Sequence, residues 1–211
     1  MSEEQIAFFD RCARHCAGGA PLEVEVALGY APGCEVTHFV VDYEFFYRCF
    51  NTLHDRPDAV LGTPTQTTDT CFANGVRQRV NARGEATLMR KKRVEKSLVV
   101  PWPHPTLPWK FAAIKFRAAK EIVLAPDTEV DAVVAVRCKD RQPIALAKQP
   151  FWTIDFTRVD EMGVLRHEIE VELNQQAIKR AGGATSAVLI KQLSVVLDAL
   201  AAAGGQCSGG Q

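Results

Sequence analysis

The sequence carries no net charge: 25 Lys and Arg balance 25 Asp and Glu among 211 residues. That balance excludes a polybasic chain that gathers nucleic acid by bulk attraction, so any polyanion site has to be a local concentration of charge. No apolar run approaches the length of a bilayer span. The N-terminal stretch MSEEQIAFFDRCARH is acidic and then amphipathic, without the apolar segment and small-residue cleavage site of a signal peptide, so the chain is expected not to be secreted. No repeat of fixed period is visible. The seven cysteines (12, 16, 34, 49, 71, 138 and 207) are scattered and odd in number. Only Cys12 and Cys16 lie a helical turn apart, no second pair completes a zinc site, and neither His15 nor His38 is spaced to join them. They read as reduced thiols of an intracellular protein. The composition, 47% hydrophobic and 24% charged, is that of an ordinary globular protein. The length suits a single domain over residues 1–203, followed by a disordered tail, GGQCSGGQ, at 204–211.

The first segment, Ser2 to about Ala17, reads as a helix opened by a Ser2–Gln5 capping box, with Ile6, Phe9 and Ala13 on one face; Gly18, Gly19 and Pro21 end it. A second helix is expected from about Thr37 to His54, with Phe39, Phe46, Cys49, Phe50 and Leu53 at core spacing. Asp55 to Pro64 is a turn-rich connector. From about Asp69 to Leu173 the pattern is strand-like, with turns at Ala73-Asn74-Gly75 and Ala82-Arg83-Gly84. The stretch PWPHPTLPW, Pro101 to Trp109, suits neither strand nor helix. A last helix is expected from Thr185 to Ala202, presenting Val188, Leu189, Leu193, Val196, Leu197 and Leu200.

The strands carry the information, because alternate residues of a strand share a face. LEVEVAL sets Glu23 and Glu25 opposite Leu22, Val24 and Val26. HEIEVEL sets Glu168, Glu170 and Glu172 opposite Ile169, Val171 and Leu173. RCKDR aligns Arg137, Lys139 and Arg141; KFRAAKE aligns Lys115, Arg117 and Glu121; GVRQRV aligns Arg77 and Arg79; MRKKRV aligns Lys91 with Arg93, and Arg90 with Lys92. One alternating strand is ordinarily just a sheet with one wet face. Wet faces usually mix signs, however, since like charges along a face repel. Here they are sorted strand by strand, which is costly unless a counter-charge binds. Clustered carboxylates suit a hard divalent cation, and clustered Arg and Lys suit phosphate. A sheet curled into a closed barrel, apolar outside beneath helices and polar within, would set an acidic wall facing a basic one across the bore. The fold class is therefore expected to be mainly β with flanking helices, a closed antiparallel barrel around a hydrophilic tunnel. Its chemistry would be metal-assisted phosphoryl hydrolysis.

In their order, these motifs resemble the metal-dependent RNA 5′-triphosphatases of mRNA capping in fungi, protozoa and large DNA viruses, members of the triphosphate tunnel metalloenzymes. The matching segments are LEVEVALG, TTDTCFANGVRQRV, KKRVEKSLVVPWP, KFRAAKE, RCKDR, WTIDFT and HEIEVEL, and they extend over roughly Pro21 to Leu200. Each is short; the sequence of two glutamate strands, the triple-cation strand and WTIDFT is the specific part. Two positions depart from the family pattern. Thr153 stands where an Arg is frequent before the Asp of the Trp-x-x-Asp motif. Ala27 stands where many tunnel enzymes carry a cation after the second glutamate, which argues against the branch of thiamine triphosphatases and class IV adenylate cyclases.

The resemblance implies roles. Glu23, Glu25 and Glu172 would hold Mg²⁺ or Mn²⁺, with Glu168 and Glu170 completing or orienting the set. Glu121 would orient the attacking water or take its proton. Arg77, Lys91, Arg137, Lys139 and Arg141 would grip the triphosphate, Lys139 and Arg141 nearest the γ-phosphate, with Arg79 and Arg93 as second choices. Asp155 would brace a tunnel cation. Lys115 and Arg117 would be tunnel cations or partners of the glutamates. Trp152 reads as packing, and Thr157 as structural. The implied substrate is 5′-triphosphate RNA and the implied partner a capping guanylyltransferase or methyltransferase, in a nucleus or a viral factory or virion, with no membrane; homodimerisation stays open. Three other readings stay open at this point: a tripolyphosphatase, thiamine or nucleoside triphosphatase of the same fold; a non-catalytic polyphosphate- or RNA-end-binding module; and an ordinary β-domain with solvated faces.

Overall fold

The computed structural model describes residues 2–17, 22–30, 39–102 and 112–205. The helix stop at Gly18 to Pro21, the start of the expected second helix, most of the Pro-rich stretch and the tail from residue 206 lie outside these residues. Helix α1 (Glu3–Ala17) opens on the expected box: the Ser2 N–H donates to Gln5 Oε1 at 2.6 Å and the Gln5 N–H to Ser2 Oγ at 3.4 Å. Its buried side is Gln5, Phe8, Phe9 and Cys12, whereas Ile6, expected on that face, is exposed. Helix α2 spans Tyr43–His54, six residues shorter at its start than the sequence suggested. Asp42 is the reason: its carboxylate accepts from the Phe45 N–H at 2.7 Å, the bond that starts a helix. Phe39 to Val41 is thereby left extended, and the Val41 N–H donates to the His167 carbonyl at 2.9 Å.

Ten strands follow the order of the chain: β1 (Glu23–Tyr30), β2 (Ala59–Leu61), β3 (Thr65–Phe72), β4 (Val76–Asn81), β5 (Ala86–Arg93), β6 (Leu98–Pro101), β7 (Ala112–Val123), β8 (Val133–Leu146), β9 (Trp152–Glu161) and β10 (Val164–Leu173). Pairing runs β1-β10-β9-β8-β3-β4-β5-β7, and β7 returns to β1, so eight antiparallel strands close into a barrel. β2 and β6 extend the edges of β8 and β7; β2 lies inside the expected connector, and Pro101, expected to be irregular, ends β6. Gly75 and Gly84 take φ of 76° and 79° at the two expected turns, a conformation cheap only for glycine.

The apolar core lies outside the barrel. Val24, Val26, Phe116, Trp152, Ile154, Ile169 and Val171 point outward from their strands into a layer formed by α1, α2 and α4 (Ser186–Gly204). Phe9 meets Phe116 and Trp152 edge-on, with ring centres 5.7 and 6.0 Å apart. The Trp152 indole N–H donates to the Leu189 carbonyl at 2.9 Å, so this residue packs, as expected, and its one polar atom is satisfied. In α4, Leu189, Leu193, Val196, Leu197 and Leu200 are buried as expected, but Val188 is exposed. The helix also runs two residues further than expected and takes in Gly204, where a side chain would strike the Phe45 ring. Contrary to expectation, one apolar run does reach spanning length: α4 is long and apolar enough to cross a membrane by length and composition, and 44% of that stretch is buried inside the fold. A short helix, α3 (Gln175–Arg180), capped by Asn174, was not expected. Cys49, Cys71 and Cys138 are reduced thiols.

Candidate active site

Because side chains alternate along each strand, the apolar outer face dictates a charged inner one. Val24 and Val26 in the core turn Glu23 and Glu25 into the bore, and Ile169 and Val171 do the same for Glu168, Glu170 and Glu172. Register then sets depth. Glu25 stands directly across from Glu172 on one side and from Arg117 on the other; Glu170 faces Asp155, Lys91 faces Glu121, and Asp69 lies between Arg79 and Arg137. The bore contains a charged cavity of roughly 300 Å³. A second cavity at one end, beside α3, is lined by Glu23, Glu121, Arg141, Thr153, Asp155 and Glu172 among others. Every residue expected at the site lines one of the two except Arg93, which is exposed. Arg93 shares a face with Lys91, but β5 ends there, and alternation says nothing about depth.

Two opposed walls, one anionic and one cationic, were expected. The structure shows the signs interleaved in four groups instead. In the first, the fully buried Asp69 holds Arg79 at 3.1 Å, Lys139 at 3.2 Å and Arg77 at 3.4 Å. In the second, Lys91 Nζ sits 2.5 Å from Glu23 and 3.1 Å from Glu25, while Arg117 bridges Glu25, at 3.0 Å, and Glu170. In the third, Arg141 pairs with Asp155 at 3.0 Å and reaches Glu172 at 3.7 Å, the brace expected of Asp155. In the fourth, Glu161 holds Arg166 at 3.0 Å and Arg137 at 3.2 Å. Interleaving is the lower-energy arrangement, since each partly desolvated charge finds an opposite one on a neighbouring strand.

The carboxylates are crowded all the same. Burial and the adjacent Glu25 charge push the Glu23 carboxyl up to about 7. Burial, with Asp155 and Glu23 nearby, pushes Glu172 up to about 8. Burial also raises Glu168, with Glu170 adding to it. Glu25 goes the other way: burial opposes its ionisation, but the Lys91 charge, a hydrogen bond from Glu23 and Arg117 outweigh it. Glu121 Oε1 is buried without a hydrogen-bond partner, 3.6 Å from Arg79 and 3.9 Å from Lys91. An all-carboxylate set with an unsatisfied buried oxygen fits a hard divalent cation in kind. Among the described residues, however, no three His, Cys, Asp or Glu side chains form a ready cage. The ammonium of Lys91, between Glu23 and Glu25, is the cation they hold.

Asp69, Glu161 and Arg166 are site residues that the sequence reading left unassigned. Asp69 sits inside TTDTC, the quoted motif, as the one charge on a strand of threonines, and that isolation was the available signal. Glu161 is six residues beyond Asp155 on the same face of β9. Phe39, expected inside a helix, lines the charged cavity. The two departures also acquire a setting: Lys115 stands directly across the ladder from Ala27, and Thr153 across from Glu172.

No protein-family model and no curated protein matches the sequence. Solved structures do. The Pct1 RNA triphosphatase of S. pombe superposes with a TM-score of 0.69 at 15% identity, over 98% of this chain and 94% of that one. The triphosphatase of the Mimivirus capping enzyme superposes with a TM-score of 0.58 at 13% identity, over 95% and 98%. At these identities the likeness speaks for the fold, and the chain has the closed-barrel tunnel fold of the RNA triphosphatases.

Proposed function

We propose that the chain hydrolyses the γ-phosphate of 5′-triphosphate RNA, leaving the 5′-diphosphate end used in mRNA capping, with Mg²⁺ or Mn²⁺ as cofactor. The observation that carries this reading is the strand-enclosed charged cavity, whose lining holds nine cationic side chains against five carboxylates. Such an excess binds a chain of phosphates. The carboxylates among those cations are what a phosphate-binding module alone would not need.

Glu23, Glu25 and Glu172 would hold the metal, which when bound would neutralise charge on the phosphates and make water a better nucleophile. The remaining steps belong to the chain's own residues. Lys139 and Arg141 would take the γ-phosphate, with Arg77, Arg79 and Arg137 spread along the rest of the triphosphate. Glu121, with an unsatisfied buried oxygen, would align a water and accept its proton as the water oxygen bonds to the γ-phosphorus. The bond from that phosphorus to the β–γ bridging oxygen breaks, and the electron pair stays on the β-phosphate of the diphosphate end. The surrounding guanidinium groups stabilise the charge left there. Asp69 and Asp155 would not touch substrate; they hold the arms that do.

Pct1 has been solved in complex with the Spt5 CTD, and the Mimivirus enzyme is described as trifunctional. For this chain a capping guanylyltransferase or methyltransferase is the partner consistent with the reading, in a nucleus or a viral factory. A second reading follows from the bore itself, whose charges address phosphates and not what is attached to them: hydrolysis of inorganic tripolyphosphate.

The test is release of γ-phosphate from triphosphate RNA and from tripolyphosphate with Mg²⁺ or Mn²⁺. Glu25→Ala and Glu172→Ala are each expected to lose about 10²-fold or more, several kcal/mol of transition-state stabilisation. Full activity in both variants sinks the metal assignment, and an inactive wild-type protein sinks the reading.

A further inference from the structure

The two ends of the bore differ. At the end beside α3, Glu23, Glu121, Asp155 and Glu172 face a single cation, Arg141. That end offers a polyanion one cation, against nine lining the charged cavity. The opposite end has the cationic excess, and there β1 and β10, paired only from Glu25 to Ala27 and from Glu170 to Glu172, give way to the extended Phe39–Val41 segment.

Phe39 is placed there at some cost. It is half-buried at a charged opening and takes no part in the apolar core. Its ring lies against Gly29 so closely that a Cβ on that residue would come within 2.6 Å of Cδ1. Gly29 lies two residues beyond Ala27 on the strand that carries Glu23 and Glu25, so the small residues continue that face and leave room for the ring. Lys115 Nζ lies 5.2 Å from the ring centre. Among the described residues Lys115 has no carboxylate partner, unlike Lys91, Lys139 and every arginine named above as lining the bore. Burial lowers its pKa, and the neighbouring Arg117 and Arg93 charges lower it further, the condition of a cation waiting for an anion.

We infer that RNA enters by this end, that Phe39 stacks its 5′-terminal base, and that Lys115 meets the α-phosphate where the nucleoside joins the bore. The inference rests on the triphosphatase reading and deepens it: the bore recognises three phosphates, and Phe39 recognises that a nucleoside follows them. Stacking on an aromatic ring tolerates any base, as an enzyme acting on all transcripts requires.

The experiment uses a short RNA with a β,γ-methylene triphosphate and 2-aminopurine as its first base, titrated into the full chain in Mg²⁺ buffer. Binding is expected to quench the fluorophore. Phe39→Ala is expected to remove the quenching and to lower the ratio of RNA to tripolyphosphate affinity about fivefold or more. Phe39→Tyr should keep both. Gly29→Ala should reproduce the Phe39→Ala result by displacing the ring, which guards against a folding defect specific to either variant. Quenching that survives Phe39→Ala, or equal losses for both ligands, overturns the inference. A wild-type protein that binds both ligands without quenching overturns it too, whereas one that binds neither overturns the triphosphatase reading beneath it.

Discussion

The two halves of the barrel wall are held by different forces. The half formed by β1, β7, β9 and β10 lies beneath the helices, and its outward side chains supply most of what the strands contribute to the apolar core. The other half, β3, β4 and β5, contributes no side chain to that core. Of its outward side chains only Val76 is buried, and on the adjoining β8 Val134 and Val136 are exposed. Without a layer to pack against, this half is fixed by its backbone ladders and, inside the bore, by the ion pairs around Asp69. The same cations that would bind substrate are thus part of what holds their own strands in place.

The sharpest way to break the comparison is a matched pair of substitutions. Asp69→Asn removes the charge from a carboxylate that is 1% exposed and neutralises three cations; breaking a buried ionic network of this kind costs about 3–5 kcal/mol. Trp152→Ala empties the helix-covered side at a similar cost, about 3–5 kcal/mol. The losses should differ in kind. Despite burial, the charges of Lys139, Arg79 and Arg77 hold the Asp69 carboxyl below its ordinary value. A lowered carboxyl contributes stability above its unfolded pKa, about 3.9, and loses it as pH falls through the folded one. The gap between wild type and Asp69→Asn should therefore be widest near neutral pH and close below about pH 4, while the Trp152→Ala gap should not close that way. Tripolyphosphate should restore part of the Asp69→Asn loss, since a ligand of the folded state stabilises it. Melting curves against pH and tripolyphosphate check both. Parallel behaviour of the two variants would mean that the halves are held alike.

The same division decides how much could be read in the sequence. On the covered side, each strand has a long apolar face and a charged one, so LEVEVAL and HEIEVEL state both the barrel and the inward direction of Glu23, Glu25, Glu168, Glu170 and Glu172. On the other side both faces are polar: TQTTDTC and VRQRV alternate weakly, and Asp69 was given no role although it is the most buried charge among the described residues. Depth was not legible anywhere, because the 2-residue period is the same at every level of the bore; Arg93 shares Lys91's face yet lies outside. Nor was the interleaving of signs, which depends on register between strands far apart in sequence, such as Lys91 with Glu23. The early helix start failed for a local reason. Phe39 and Phe46 have helical spacing, but Asp42 between them is a better cap than an interior residue.

A smaller effect tests how tightly the covering layer is packed. Gly204, the last residue of α4, faces α2, and a Cβ there would lie 1.9 Å from Phe45 Cε2. Alanine favours the helix by about 1 kcal/mol, but forcing a methyl group against a buried ring costs about 1–3 kcal/mol. Gly204→Ala should lower the unfolding free energy by a net of about 1 kcal/mol or slightly more, which shows as a lower urea midpoint. Phe45→Leu in the same chain should recover part of that, because the shorter side chain yields. A midpoint that rises would show the layer loose enough to shift, and the contrast between the halves would weaken.

The smallest effect lies where the covering layer meets the mouth of the bore. Asp42 caps α2 with one short hydrogen bond, and the chain before it is held to β10 by the Val41–His167 bridge. Cap removal by Asp42→Ala should cost about 1 kcal/mol, and Asp42→Ser should restore most of it because its hydroxyl can accept the same N–H. The loss should be local. Freed of its cap, the first turn of α2 frays and the segment before it loses one of its two anchors, so amide exchange should quicken at Phe45 and Val41 while that of Val24 and Val171 keeps pace only with the global change. If exchange quickens uniformly, the mouth is rigidly part of the covered half; if it quickens only from Val41 to Phe45, the helix layer positions Phe39 through that single cap and bridge.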